Sequence, residues 1–207
     1  MITLNELIDV VRRRSVDGRT ITAIAGPPGS GKSALAERVV RGLNDIVPSS
    51  AAILAMDGYH LDDGLLGSLG LRSRKGSPET FDVGGLLEMI RRLKLDQDTD
   101  IIVPVFDRDL EIARAGARII SSTVRHVIAE GNYLLLNRPR WSELAGLFDV
   151  TVMVEAPEKI LRERLQERWR GYDLRTEQVA AKVEENDLPN GRLVVAHSFE
   201  SEFIVDF

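Results

Sequence analysis

The chain of 207 residues has no cysteine, which removes disulfide scaffolds, thiolate zinc sites and cysteine nucleophiles together. Its three histidines, His60, His126 and His197, are too scattered for a His-x-x-x-His metal pair. A basic surplus is missing too. Lys and Arg number 27 against 32 Asp and Glu, and a net charge of -5 leaves no concentrated positive surface for a nucleic-acid backbone. No apolar run exceeds a handful of residues, so no membrane span is expected. The opening Met-Ile-Thr-Leu-Asn-Glu lacks the basic-then-apolar order of a signal peptide, and a cytoplasmic location is the expectation.

What is present is an ordinary globular composition, 43% hydrophobic and 29% charged, in a chain long enough to bury one full core. Leu4, Leu7, Ile8 and Val11 recur at helical spacing behind a capping box of Thr3 and Glu6, and Arg12, Arg13 and Arg14 read as a solvated helix end. Apolar runs at 20–25, 51–56, 101–106, 125–130 and 150–154 read as strands. Helical spacing covers 34–43, 83–95, 141–147 and 157–169, the last opened by Pro157 in its first turn. A helix over 176–185 and a strand over 192–196 follow. Such alternation predicts a single α/β domain, a mostly parallel sheet with helices on both faces and ligands beyond the carboxyl ends of the strands.

One of those ends carries Gly26-Pro-Pro-Gly-Ser-Gly-Lys-Ser33, a full match to G-x-x-x-x-G-K-[ST] between strand and helix. Gly26, Gly29 and Gly31 let the backbone wrap around phosphate oxygens, with Pro27, Pro28, Ser30 and Ala34 completing the cradle. The following helix adds its positive end. Lys32 then reaches the β- and γ-phosphates of ATP, and the Ser33 hydroxyl ligates Mg²⁺. The motif alone does not separate a kinase from a GTPase, an ATPase or a motor, although the Asn-Lys-x-Asp of a guanine reader is absent. The second apolar run ends in Asp57-Gly-Tyr-His60, which puts a carboxylate beside the phosphate loop. It serves either as the proton acceptor that phosphoryl transfer to an alcohol calls for or as a plain strand cap.

Asp57-Gly-Tyr-His60 after a phosphate loop resembles the signature of the uridine kinase, phosphoribulokinase and bacterial pantothenate kinase superfamily. Arg74-Lys-Gly-Ser-Pro-Glu-Thr-Phe-Asp82 resembles its substrate loop, Pro104-Val-Phe-Asp-Arg108 its Pro-x-Tyr-Asp-Arg element, and Glu130-Gly-Asn-Tyr133 its strand-end Glu-Gly. Asn186-Asp-Leu-Pro-Asn190 matches a segment near the C-terminus, so the match runs in order over about residues 20 to 195. Within the superfamily the resemblance is to the branch named fructose transport system kinases.

The resemblance implies a P-loop NTPase fold in which Asp57 is the general base, Lys32 a catalytic cation, and Ser33 with Glu130 the magnesium site. It assigns His60, Glu79, Asp82, Asp107 and Arg108 to the substrate, where carboxylates favour a hydroxyl-rich molecule. Phe106 stands where tyrosine is usual. The superfamily's lid arginines fall on Arg164 and Arg168, which at 100° per residue lie beside the face of Ile160, Leu161 and Leu165. Helical pairing with Glu163 and Glu167 is the plainer alternative. Asn186 and Asn190 either border the adenine or shape a turn at Pro189. Seven of the 17 glycines fall in 57–85, which predicts a mobile substrate-binding segment, with a lid over about 164–176. The expectation is therefore a Mg-ATP-dependent kinase of a small hydroxyl-bearing metabolite, a sugar first and a nucleoside or pantothenate-type alcohol second. A P-loop NTPase switch is the rival reading. Neither nucleic acid nor membrane is an expected partner, and a homodimer is left open.

Overall fold

The computed structural model describes residues 1–14, 18–95, 99–172 and 174–206. Its centre is β1 (Thr20–Ala25), buried at every residue, as a strand must be when it has neighbours on both sides and helices on both faces. Around it stand β2 (Ala51–Ala55), β5 (His126–Glu130), β6 (Val150–Glu155) and β7 (Phe203–Asp206), in the order β2-β5-β1-β6-β7 and all parallel.

Alternate residues of β1 feed two cores. Ile21, Ala23 and Ala25 pack under α4 (Val83–Leu95), through Leu86, Ile90 and Leu93, together with Tyr133 and Trp141. Ile24 faces the other way, under α1 (Leu4–Arg14) and α2 (Lys32–Ile46), through Leu7, Val11, Leu35 and Val39. This period of two against helical stripes is what the apolar spacing encodes. The capping box forms as expected, with Glu6 Oε2 accepting the Thr3 N–H at 2.8 Å.

Three expectations are corrected. The apolar run at 101–106 does not join the main sheet. It is β3 (Ile101–Asp107), paired antiparallel with β4 (Ile112–Ile120) in a separate hairpin whose register shifts between Val103 and Val105, around Pro104, which has no N–H to give. The 192–196 run is helix, not strand. It lies in α7 (Leu188–His197), where burial of Leu188, Gly191 and Val194 on one side overrides the β preference of Val194 and Val195. The helix expected over 176–185 continues, as α6 (Thr176–Ala181) and then π-helical turns over Lys182–Asp187, straight into α7. Pro189 therefore shapes no turn.

The glycine-rich segment is built from short turns around α3 (Asp63–Ser68), and the expected helix over 157–169 is α5 (Glu158–Arg170), with Pro157 as its cap. Leu161 and Leu165 of α5 meet Val179, Val183 and Leu188 in a small third core. Asp173, within the expected lid, lies outside the described residues. No helix among the described residues is long and apolar enough to cross a membrane.

Candidate active site

Register decides what meets what. Ile24 of β1 and Ala55 of β2 both pair with Glu130 of β5, so these strands finish level. Gly26, Asp57 and Glu130 therefore arrive together at one sheet edge. The loop from Gly26 to Ser33 leaves that edge and turns into α2 at Lys32. Gly26 admits no side chain, because a Cβ there would stand 2.6 Å from the Val154 carbonyl oxygen. Gly29 and Gly31 hold φ of +80° and +96°, conformations that turn backbone N–H groups inward at little cost only for glycine.

Lys32 is 9% exposed, and its ammonium donates to the Pro27 carbonyl at 3.3 Å across the loop. Burial pulls its pKa down, against the pull of Glu130 and Asp57. Ser33 Oγ donates to Glu130 Oε2 at 2.9 Å. Burial pushes the Glu130 carboxyl up, and the neighbouring Asp57 pushes it further. For Asp57 burial works the same way, but His60, Arg108, Lys32 and Arg168 outweigh it and hold the carboxyl below its usual range. The nearest of these groups is Arg108, whose guanidinium donates to Asp57 Oδ2 at 2.8 Å from the end of the β3–β4 hairpin. The hairpin gets this close because position 58 is glycine: a Cβ there would meet the Pro104 carbonyl at 2.7 Å.

Among the clefts that open at this edge, two include Pro28 of the loop. One is lined by the phosphate loop, Ser33 and Glu130. The other runs from the loop toward His60, Lys75, Phe81 and Phe106. Pro28, Asp57, Arg108, Asn132 and Arg168 line both and so form their common wall. A carboxylate, Asp57, and two arginines, Arg108 and Arg168, thus stand between the two clefts.

No protein-family model matches the chain. YggC, an uncharacterized protein of Escherichia coli K12, is 36% identical over 190 residues, 91% of this chain and 78% of its own. A Schizosaccharomyces pombe protein provisionally named a uridine kinase is 28% identical over 193 residues, 90% of this chain and 81% of its own. A solved structure from Silicibacter sp. TM1040, provisionally named a fructose transport system kinase, superposes with a TM-score of 0.91 at 38% identity over 99% of this chain and 100% of its own. The chain belongs to the P-loop small-molecule kinases of the uridine kinase and pantothenate kinase superfamily. It is an ATP-dependent phosphotransferase.

Within this kinase the two arginines expected in a lid part company. Arg168 lines both clefts, whereas Arg164 donates to the carbonyls of Gly29 and Ser30 at 3.3 Å each and grips the loop from outside. Glu163 and Glu167 take neither of these contacts; the pairing on α5 is made by Arg162, with Glu158 at 3.0 Å and Glu184 at 2.7 Å. His60 lines the second cleft with its ring 4.1 Å from Phe81 and 4.6 Å from Phe106, and its Nδ1 is 2.8 Å from the Asp57 carbonyl.

Three carboxylates assigned to substrate are not among the cleft-lining residues. Glu79 is exposed and pairs with Arg74 at 3.5 Å. Asp82 caps α4 by accepting the Gly85 N–H at 2.9 Å. Asp107 ties the hairpin turn through Arg114 at 2.8 Å and the N–H groups of Asp109 and Leu110.

Sequence reasoning missed Lys75, Glu111, Asn132, Trp169, Lys182 and Asp187 on the cleft wall. Lys75, Asn132 and Asp187 stand inside motifs quoted above, and their residue types were the available signal. Asn186 Nδ2 donates to the Lys75 carbonyl at 2.9 Å and Asn190 to Asn186 at 3.2 Å, so these asparagines anchor the 74–82 loop. Tyr133 fixes the same loop, its hydroxyl donating to the Gly76 carbonyl at 2.7 Å.

Proposed function

We propose that this kinase transfers the γ-phosphoryl group of Mg-ATP to a hydroxyl of a small sugar-type metabolite, with Asp57 taking the hydroxyl proton. The observation that carries this reading is the position of Asp57 on the wall shared by the two clefts, the place where an acceptor oxygen must approach the γ-phosphorus. The sugar assignment is supported by the name of the Silicibacter protein and by the acceptors on the cleft wall, Asp57, Glu111 and Asn132, which suit hydroxyl donors.

The residues present fit a magnesium ion. A hydroxyl and a carboxylate, Ser33 and Glu130, stand 2.9 Å apart beside the loop, and the carboxyl is buried where its charge calls for a cation. Among the described residues no three His, Cys, Asp or Glu side chains gather into a cage, which suits an ion completed by phosphate oxygens and water. When bound, it supplies charge neutralisation at the phosphates.

The chain's own groups do the rest. Loop N–H groups and Lys32 fix the β- and γ-phosphates, and Arg168 meets the charge on the oxygens in transit. The acceptor oxygen forms its bond to the γ-phosphorus while the bond to the ADP oxygen breaks, and the hydroxyl proton passes to an Asp57 carboxylate kept ionised by its cationic neighbours. Closure of the 57–85 segment against a lid over about 164–176 excludes the water that would compete with the alcohol.

Asp57→Asn tests the assignment. The amide keeps the shape and takes no proton, so Mg-ATP binding by titration calorimetry stays near wild type while sugar-stimulated turnover falls roughly 10²-fold, the lower end for a positioned base. Unchanged turnover would remove Asp57 from the proton path. Weakened Mg-ATP binding would instead make it a ligand of the metal.

A further inference from the structure

The helix that runs from α6 into α7 carries its core residues at uneven spacing. Val179 and Val183, four apart, join Leu161 and Leu165 of α5 in the small third core, but the next member, Leu188, comes five residues later. An α-helix returns to one face every three or four residues, so unbroken α geometry would turn Asp187 into that apolar contact. The π-helical turns over Lys182–Asp187 absorb the extra residue. Leu188 keeps its place in the core, Asp187 lines the cleft that runs toward His60 and Phe106, and Asn186 Nδ2 donates to the Lys75 carbonyl at 2.9 Å. Such turns are rare within helices, and they recur at functional sites.

Asn186 is itself held in place. Its Oδ1 accepts from Nδ2 of Asn190, a residue 4% exposed, at 3.2 Å, which leaves the Asn186 Nδ2 for the 74–82 loop. One residue beyond Asn190 the same helix rests on the phosphate loop: a Cβ at Gly191 would stand 3.2 Å from Pro27 Cβ and 3.7 Å from Pro28 Cδ. Six residues of helix therefore touch both loops, since Lys75 and Gly76 line the cleft toward His60 and Pro28 lines both clefts. We propose that Asn186 is a positioning residue that couples the two clefts, holding the wall of the alcohol's cleft to the helix on which the phosphate loop rests. Asn186 lines neither cleft and acts through Lys75 and Gly76. Nucleotide that immobilises the phosphate loop also steadies this helix, and an alcohol that meets a loop already held loses less freedom on binding. The coupling rests on the kinase reading above and names a residue that ties its two sites together.

The test is amide hydrogen exchange at Gly76, Ser77 and Thr80, whose N–H groups bond within the loop, in the empty protein and with saturating Mg-AMP-PNP. In wild type the nucleotide slows these amides by about threefold or more. Asn186→Asp keeps the oxygen that Asn190 bonds and lacks the donor to Lys75; Asn186→Ala removes the donor without adding charge. Both variants bind Mg-AMP-PNP in calorimetry as wild type does, yet lose the slowing. Tyr133→Phe is the control for mere loosening. It gives up the other hold on the loop, the bond to the Gly76 carbonyl, while its ring stays in the main core, so exchange rises in both states and the slowing persists. With fructose and saturating Mg-ATP, either Asn186 variant raises KM for the sugar by about three- to tenfold, as for one lost hydrogen bond, at nearly constant kcat. A wild-type loop that ignores the nucleotide, or Asn186 variants that keep the slowing, would overturn the coupling and leave the kinase reading standing. A wild type without fructose-stimulated ADP release would overturn the sugar reading instead, and the exchange pattern would decide Asn186 by itself.

Discussion

Glu130→Gln separates what the fold wants from what the reaction wants. Glu130 is 7% exposed at the end of a buried strand, and both its burial and the charge of Asp57 push its carboxyl pKa up. A group raised in this way contributes stability that is present below its unfolded pKa and lost as pH rises through the folded one. At neutral pH the ionised side chain is therefore a cost to the empty protein. Glutamine keeps the shape and an oxygen for the Ser33 hydroxyl, and Asp57 remains beside Lys32 to offset that buried ammonium. The expected outcome is a Tm above that of wild type at pH 7. That gain should shrink to nothing as pH falls below the folded pKa, where wild type is neutral too.

Saturating Mg-ATP reverses the order. A ligand at 100 times its Kd stabilises by about 2.7 kcal/mol, and the variant, short of a metal carboxylate, receives much less. Melting curves of both proteins, empty and loaded, at pH 7 and at acid pH, read the whole pattern. An empty variant that melts below wild type at pH 7 would show that Glu130 is a structural anion, satisfied by Lys32 and Ser33, and would refute the reasoning.

Lys32→Ala should abolish measurable phosphoryl transfer and weaken Mg-ATP binding in calorimetry, since it removes the one ammonium inside the loop. Arg168→Ala should lower kcat by about 10² with little change in Tm, because its guanidinium faces both clefts from an exposed helix position, and equal kcat in variant and wild type would remove it from the reaction. Arg164→Ala should instead raise KM for ATP with a smaller effect on kcat, having released the carbonyls of Gly29 and Ser30; a pure kcat defect would reverse the two roles. With Mg-ATP saturating, so that Glu130 already faces its cation, the pH profile of kcat/KM for the alcohol should be flat from neutral down to the ordinary carboxylate range, its acid limb lying lower still, because His60, Arg108, Lys32 and Arg168 hold Asp57 ionised. The same ionisation contributes stability above the unfolded pKa of Asp57 that is lost as pH falls through the folded one. An acid limb displaced upward, toward neutral pH, would contradict that field.

What could be read from the sequence was local. The phosphate loop, Asp57 and Glu130 each sit within a residue or two of a strand end, and strand ends can be located from runs of apolar residues. Arg164 and Arg168 mark where such reading stops. Helical geometry places both beside the same buried face, yet four residues separate them by about 6 Å along the axis, enough to set one on the loop carbonyls and the other in the cleft. Asp107 and Arg108 differ in the same way. Which of two adjacent residues meets Asp57 depends on the antiparallel register of the hairpin, and a run such as Ile-Ile-Val-Pro-Val-Phe looks the same in a buried parallel strand. The cleft that runs toward His60 and Phe106 is the least local part. Its loop is held by Tyr133 on Gly76 and by Asn186 on Lys75, bonds that span 57 and 111 residues. Because Lys75 is placed by those distant partners, its position on the cleft wall has no signature in any single stretch of chain. Phe106 makes the same point from the other side. Read against a family tyrosine it is a lost hydroxyl, but in the fold its ring lies 4.6 Å from that of His60 and 5.5 Å from the Lys75 ammonium, two contacts that a phenyl face supplies without one.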